Sequence, residues 1–87
     1  MQNEPEYLSQ EEFFSTFDLG LTSALFCLEH ESYAVDKDNS TSNAQFIFRR
    51  DKTIERDIEA YWNTQLKLNA RSYFDAIRCV KNRLYSS

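Results

Sequence analysis

Glycine and proline are almost missing from this chain, with one of each in 87 residues, Gly20 and Pro5. That scarcity argues against a glycine-rich loop cradling phosphates and against the many tight turns of a β-sandwich. Histidine is also single, His30. The two cysteines, Cys27 and Cys79, are far apart and lack metal-ligand spacing. They read as two buried thiols in a reducing compartment, with no metal and no cofactor expected. No hydrophobic run can cross a bilayer, since the longest reaches only from Leu19 to Leu28. Positive charge is absent from residues 1–31, which hold seven acids, while residues 32–87 hold seven acids and ten bases. The two parts carry −7 and +3 within a net charge of −4. The first twelve residues contain four glutamates and no Lys or Arg, the reverse of a signal-peptide n-region, so a cytoplasmic location is expected.

What is present is apolar and aromatic. The chain is 41% hydrophobic and 15% aromatic, with seven Phe, five Tyr and one Trp. That content argues against disorder. A single domain is expected, burying about 60% of the surface its unfolded chain exposes.

The pattern along the chain predicts an α+β fold, a small antiparallel β-hairpin or sheet packed with three helices. Residues 1–8 read as an acidic flexible tail and residues 9–87 as one α+β domain. Ser9 to Glu12 fits a capping box with Leu8 and Phe13 as its staple, yet Phe13 to Phe17 also reads as a short aromatic strand. A brief helical turn followed by an extended segment reconciles the two. Asp18 caps a helix over residues 19–30 whose apolar residues fall nearly all round it. Such a helix must be covered on more than one side, by a sheet on one face and by helices or a second subunit on the other.

Two strands follow. Ser32 to Lys37 places Tyr33 and Val35 on one face, and Ala44 to Arg50 places Phe46 and Phe48 opposite Gln45, Ile47 and Arg49. The polar stretch Asp38 to Asn43 joins them as a long hairpin loop. A second helix is expected over residues 53–63, capped by Asp51 or Thr53, with Ile54, Ile58, Tyr61 and Trp62 as its buried stripe. Leu66 to Leu68 reads as a linker or edge strand. Asn69 caps a third helix over residues 70–85, with Ala70, Tyr73, Phe74, Ile77, Val80 and Leu84 as its stripe.

Three pieces of the chain carry a family likeness. They are Thr16-Phe17-Asp18-Leu19 before the apolar helix, Phe46-Ile47-Phe48 in the second hairpin strand, and Tyr61-Trp62-Asn63 followed by Ala70-Arg71-Ser72-Tyr73-Phe74-Asp75-Ala76. With them the chain resembles, over residues 13–85, a family of short prokaryotic and phage proteins known as a domain of unknown function. The resemblance implies a mixed α/β fold and carries over no catalytic residue. The long connection at 38–43 departs from the family's tighter turn.

The chemistry-bearing residues form few constellations. His30 reads either as a general base or pH-sensitive contact, or as a helix C-terminal residue favoured by the dipole. Glu55, Asp57 and Glu59 read as a solvated helix face. No catalytic residue is named, and an enzyme is not expected. Two binding readings remain. The preferred one is a non-catalytic protein-interaction module that engages another protein or a second copy of itself, with Tyr7, Phe26, Tyr61, Trp62 and Tyr85 as contact candidates. The alternative is a nucleic-acid-binding accessory protein, using Arg49, Arg50 and Lys52 at the hairpin end with Lys67, Arg71, Arg78 and Lys81 around the third helix. Phe46, Phe48 and Tyr33 would then stack bases, unless they form the inner face of the sheet. A pI near 4.9 weighs against that alternative.

Overall fold

The structure is a computed structural model that describes residues 11–36 and 44–85. The expected tail, the Ser9 capping box with Leu8, Tyr7 and the 38–43 connection lie outside those residues. In chain order the elements are β1 (Phe13–Thr16), α1 (Leu19–Cys27), β2 (Ser32–Asp36), β3 (Gln45–Arg49), α2 (Lys52–Trp62) and α3 (Ala70–Tyr85). The fold is α+β, with a three-stranded antiparallel sheet in the order β1-β3-β2.

At the N-terminal end of the described chain, residues 11 and 12 form a turn and the aromatic run then enters the sheet as β1. Phe13 pairs with Arg49, Phe14 with Phe48 and Thr16 with Phe46. The Arg50 N–H donates to the Glu12 carbonyl at 2.8 Å and extends the ladder by one bond. Pairing sets the faces, because partners across a ladder share one. Phe14, Phe46 and Phe48 face the helices, while Phe13, Ile47 and Arg49 lie on the other side.

The hairpin departs from a simple alternation. Ser32 pairs with Phe48 and Ala34 with Ile47, so Tyr33 is the extra residue of a bulge. The bulge separates Tyr33 from Val35. Val35 pairs with Phe46 on the helix side. The Tyr33 ring lies 4.8 Å from the Phe13 ring on the outer side. The expectation that Tyr33 and Val35 share a face is thus corrected. The Tyr33–Phe13–Arg49 group lies on the outer face, where Phe13 and Ile47 are nonetheless buried, and Phe46 and Phe48 face the helices.

All three helix starts rest on side-chain caps. Asp18 accepts from the Leu21 N–H at 2.8 Å, Asp51 from the Ile54 N–H at 2.8 Å, and Asn69 from the Ser72 N–H at 2.9 Å. Each satisfies an otherwise orphaned donor and contributes about 1 kcal/mol. The helix ends are less ordinary. α1 stops at Cys27, short of the expected residue 30, because Glu29 turns left-handed at φ 69°. The His30 N–H then donates back to the Leu25 carbonyl and the Glu29 N–H to the Phe26 carbonyl, a Schellman closure. Thr64, at φ 56°, ends α2 the same way, with the Gln65 N–H donating to Ala60 and its own N–H to Tyr61.

The core joins Leu21 and Leu25 of α1, Phe46 and Phe48 of β3, Ile54 of α2 and Val80 of α3. Fully burying side chains of this size contributes roughly 1.5–3 kcal/mol each. Five successive residues, Leu21 to Leu25, have no exposed surface. The sheet covers one side of α1, and α3 and α2 cover the other. Cover for this over-apolar helix therefore comes from within the chain, and its pattern alone gives no reason for a second subunit.

Two helical stripes need correction. Trp62 of α2 and Ala70 and Phe74 of α3 are exposed, whereas Asp57 is buried. Cys27 is half-buried, but Cys79 is exposed, which corrects the expectation of two buried thiols; both are free. Leu66 to Leu68 form no strand. Among the described residues, no helix is long and apolar enough to cross a membrane.

Candidate interaction surface

The start of α1 is a meeting point of three helices. The Tyr73 hydroxyl of α3 donates to the Gly20 carbonyl at 3.1 Å. A side chain at Gly20 would collide with the Tyr61 hydroxyl of α2, and its Cβ would lie 3.3 Å from the Asp18 carboxylate. Gly20 does not have a positive φ. The single glycine is therefore required for close approach, not for backbone freedom. Burial raises the Tyr61 pKa above the ordinary tyrosine value of 10.0, and the nearby Asp18 carboxylate and Tyr73 hydroxyl raise it further. Tyr61 stands at the centre of this junction.

Around the junction stand large apolar side chains that the fold does not cover. Phe17 is 61% exposed, Leu19 36%, Trp62 57% and Phe74 55%. Each is the immediate chain neighbour of a junction residue: Phe17 of Asp18, Leu19 of Gly20, Trp62 of Tyr61 and Phe74 of Tyr73. Trp62 stands edge-on to Tyr61, with ring centroids 5.0 Å apart. Single exposed apolar groups are ordinary on a small protein, so it is the number at this one junction that makes it a candidate contact surface. Lys67 and Arg71, both exposed, belong to the α2–α3 connection and the first turn of α3 at this same end.

The structure redistributes the sequence candidates. Trp62 joins this aromatic end, and Tyr61 lies half-buried beneath it. Phe26 is half-buried, with its ring edge-on to Phe46 and Phe48 at 6.0 and 6.1 Å and Arg83 stacked over it at 5.2 Å. Tyr85 is exposed near the C-terminal end of α3. Tyr7 is not among the described residues. Sequence reading missed Phe17, Leu19 and Phe74. Exposure of Phe74 carries no local signal, since it depends on which side of α3 packs on α1.

The basic candidates do not form one surface. Arg49 stacks over Phe13 at 4.9 Å and Tyr33 at 5.5 Å on the outer sheet face. Arg50 pairs with Glu55 at 2.7 Å and lies over Phe14. Lys52 is exposed in the first turn of α2. Arg71 belongs to the opposite end of α1. α3 runs alongside α1 in the same sense, from the Tyr73–Gly20 contact to the Arg83–Phe26 contact. Arg71 pairs with Asp75 at 3.8 Å, Arg78 lies 5.8 Å from the Phe74 ring, and Lys81 is exposed further along α3.

A second polar feature lies at the far end of α1. His30 Nε2 contacts Asp57 Oδ2 at 2.7 Å, with the two side chains 12% and 11% exposed. His30 thus closes the end of α1 through its N–H and ties that turn to α2 through its ring. Asp57 leaves the solvated face to which its spacing assigned it. Its other oxygen lies 3.6 Å from Arg56. Open clefts flank His30, one bounded by Tyr33 and Arg49 and the other by Phe26 and Arg83. Among the described residues, no three His, Cys, Asp or Glu side chains gather as a metal site.

A family model described as a domain of unknown function, DUF5659, matches residues 12–86. No curated protein and no solved structure matches the chain.

Proposed function

We propose that this chain, which belongs to the DUF5659 family, is a non-catalytic protein-interaction module that engages another protein through the aromatic end at the start of α1. The observation that carries this reading is the gathering of exposed Phe17, Leu19, Trp62 and Phe74 around one helix junction. Tryptophan and other aromatics concentrate binding energy at protein interfaces, and an anchor of this kind contributes about 2 kcal/mol or more. The junction beneath them is closely packed. Tyr73 is hydrogen-bonded to the α1 backbone and Tyr61 is packed over Gly20, so little ordering is required on contact. We take the family to be one of short prokaryotic and phage proteins. A module of this size then suits an accessory or inhibitor factor acting on a larger protein machine in the cytoplasm.

Affinity capture from the native cell tests the reading. The tagged chain should retain a specific protein, and a Trp62→Ser, Phe74→Ser variant with an unchanged thermal transition should lose it. Retention of the same protein by that variant would rule out the aromatic end. Nucleic-acid binding is the second reading, favoured by the cationic stack of Arg49 on Phe13 and Tyr33. It rests on Arg49, since Arg50 lies over Phe14 on the other face of the sheet and pairs with Glu55. Binding to single-stranded DNA or RNA that weakens steeply with salt, and weakens again in Arg49→Ala, would support it.

A further inference from the structure

We infer that the chain ahead of β1 closes the outer edge of the sheet, with residues 7–10 lying antiparallel to β1 as a fourth strand. In the order β1-β3-β2, β1 stands at an edge, and among the described residues no strand pairs with its outer side. The ladder shows which groups that edge presents. The Arg50 N–H bonds the Glu12 carbonyl, and in the same register Phe14 faces Phe48 and Thr16 faces Phe46. Hydrogen-bonded pairs alternate along an antiparallel ladder, so Phe14 and Thr16 direct their backbone groups to β3. Phe13 and Ser15 turn theirs outward, each with one N–H and one C=O.

The two edges of the sheet are not equal. β2 carries the Tyr33 bulge and ends in Asp36, and both features discourage a further strand. β1 has no bulge, no charged residue and no proline. A regular, uncharged edge is a template for pairing, and the best-placed segment is the one joined to it. Residues 11 and 12 form a turn immediately before β1, so the chain reverses there. A segment tethered this closely acts at an effective concentration of roughly millimolar order, above that of a second copy in dilute solution. Across the turn Gln10 stands opposite Phe13 and Leu8 opposite Ser15, the two positions with outward groups. Ser9 and Tyr7 then fall beside Phe14 and Thr16 on the helix side. Glu12 does not have a positive φ, so the phase of the ladder sets this register and not a primed turn. Pro5 lacks an N–H and ends the added strand near Glu6, close to the four-residue length of β1. The other stretch outside the described residues, 37–43, is polar throughout and joins β2 to β3, away from this edge.

Amide hydrogen exchange in the intact chain, followed by NMR, reads this edge directly. The Ser15 N–H should exchange slowly, like those of Phe14 and Thr16, and the α-protons of Ser9 and Phe14 should be in contact. Leu8→Pro removes the donor opposite Ser15. It should speed Ser15 exchange roughly tenfold, about the worth of one hydrogen bond, while Phe14 and Thr16 stay protected. Protection at those two residues also shows that the variant folds. Fast exchange of Ser15 in the unaltered chain would overturn the inference, and so would equal protection of Ser15 in both chains. Protection that disappears on dilution would overturn it too, by giving the edge to a second copy. Leu8→Pro leaves the aromatic end untouched, so this inference and the interaction reading fail separately.

Discussion

Gly20 shows how much one residue can depend on distant ones. Replacing a helical glycine by alanine ordinarily stabilises by about 1 kcal/mol. Here the added methyl meets the Tyr61 hydroxyl, and overpacking of that kind costs about 1–3 kcal/mol. The clash outweighs propensity, so Gly20→Ala should lower the urea midpoint. In a Tyr61→Phe background the obstructing oxygen is gone, and the same substitution should become neutral or stabilising. A midpoint that falls equally in both backgrounds would show that Tyr61 is not the obstacle. Tyr61 also predicts a pH effect. Its folded pKa lies above the unfolded value of 10.0, chiefly through burial. The folded state therefore holds its proton more tightly. The associated stability is complete below pH 10 and is lost as pH rises through the folded pKa. Unfolding free energies measured at roughly pH 9 and 11 should fall across that interval, and Tyr61→Phe should flatten the fall. No flattening would place the alkaline loss elsewhere.

At the level of elements, the sequence is most legible where signals are local. Asp18, Asp51 and Asn69 mark three helix starts, and each cap is present, because a cap needs only a side chain and an amide three residues on. The helix ends are illegible for the opposite reason. Glu29 and Thr64 adopt the left-handed conformation where glycine is the usual marker, so nothing in the composition announces the stop after Cys27. β1 is ambiguous because its pairing partner, β3, lies far along the chain. Asp57 reads as solvated because its partner His30 is 27 residues away. Aromatic exposure at Phe17, Leu19 and Phe74 is likewise settled by packing between elements. The Thr64 cap carries a prediction of its own. A β-branched residue in this conformation costs about 1–2 kcal/mol, and glycine there would add about 0.4–1 kcal/mol of unfolded-state entropy. The difference favours Thr64→Gly by about 0.5–1 kcal/mol, to be seen as a higher urea midpoint. A lower midpoint would mean that the threonine side chain contributes more than its backbone costs.

At the scale of the whole molecule, the question is whether the chain pairs with itself. The argument for a second copy began with α1, and α1 is closed by the sheet, α2 and α3 of its own chain. Among the described residues, four of the exposed large apolar side chains adjoin the start of α1, and Tyr33 and Tyr85 are exposed elsewhere. A two-fold dimer through that end would bring the same patch from both copies together, setting Lys67 and Arg71 against their own counterparts. Exposed apolar area favours pairing, like charge opposes it, and the charge term weakens with salt. The expected outcome is a monomer of 10.3 kDa by light scattering at low salt. Any association should appear only as salt is raised and should vanish in Trp62→Ser, Phe74→Ser. A salt-independent dimer would show that a surface other than the aromatic end holds two copies together, and would move the search for the partner site there.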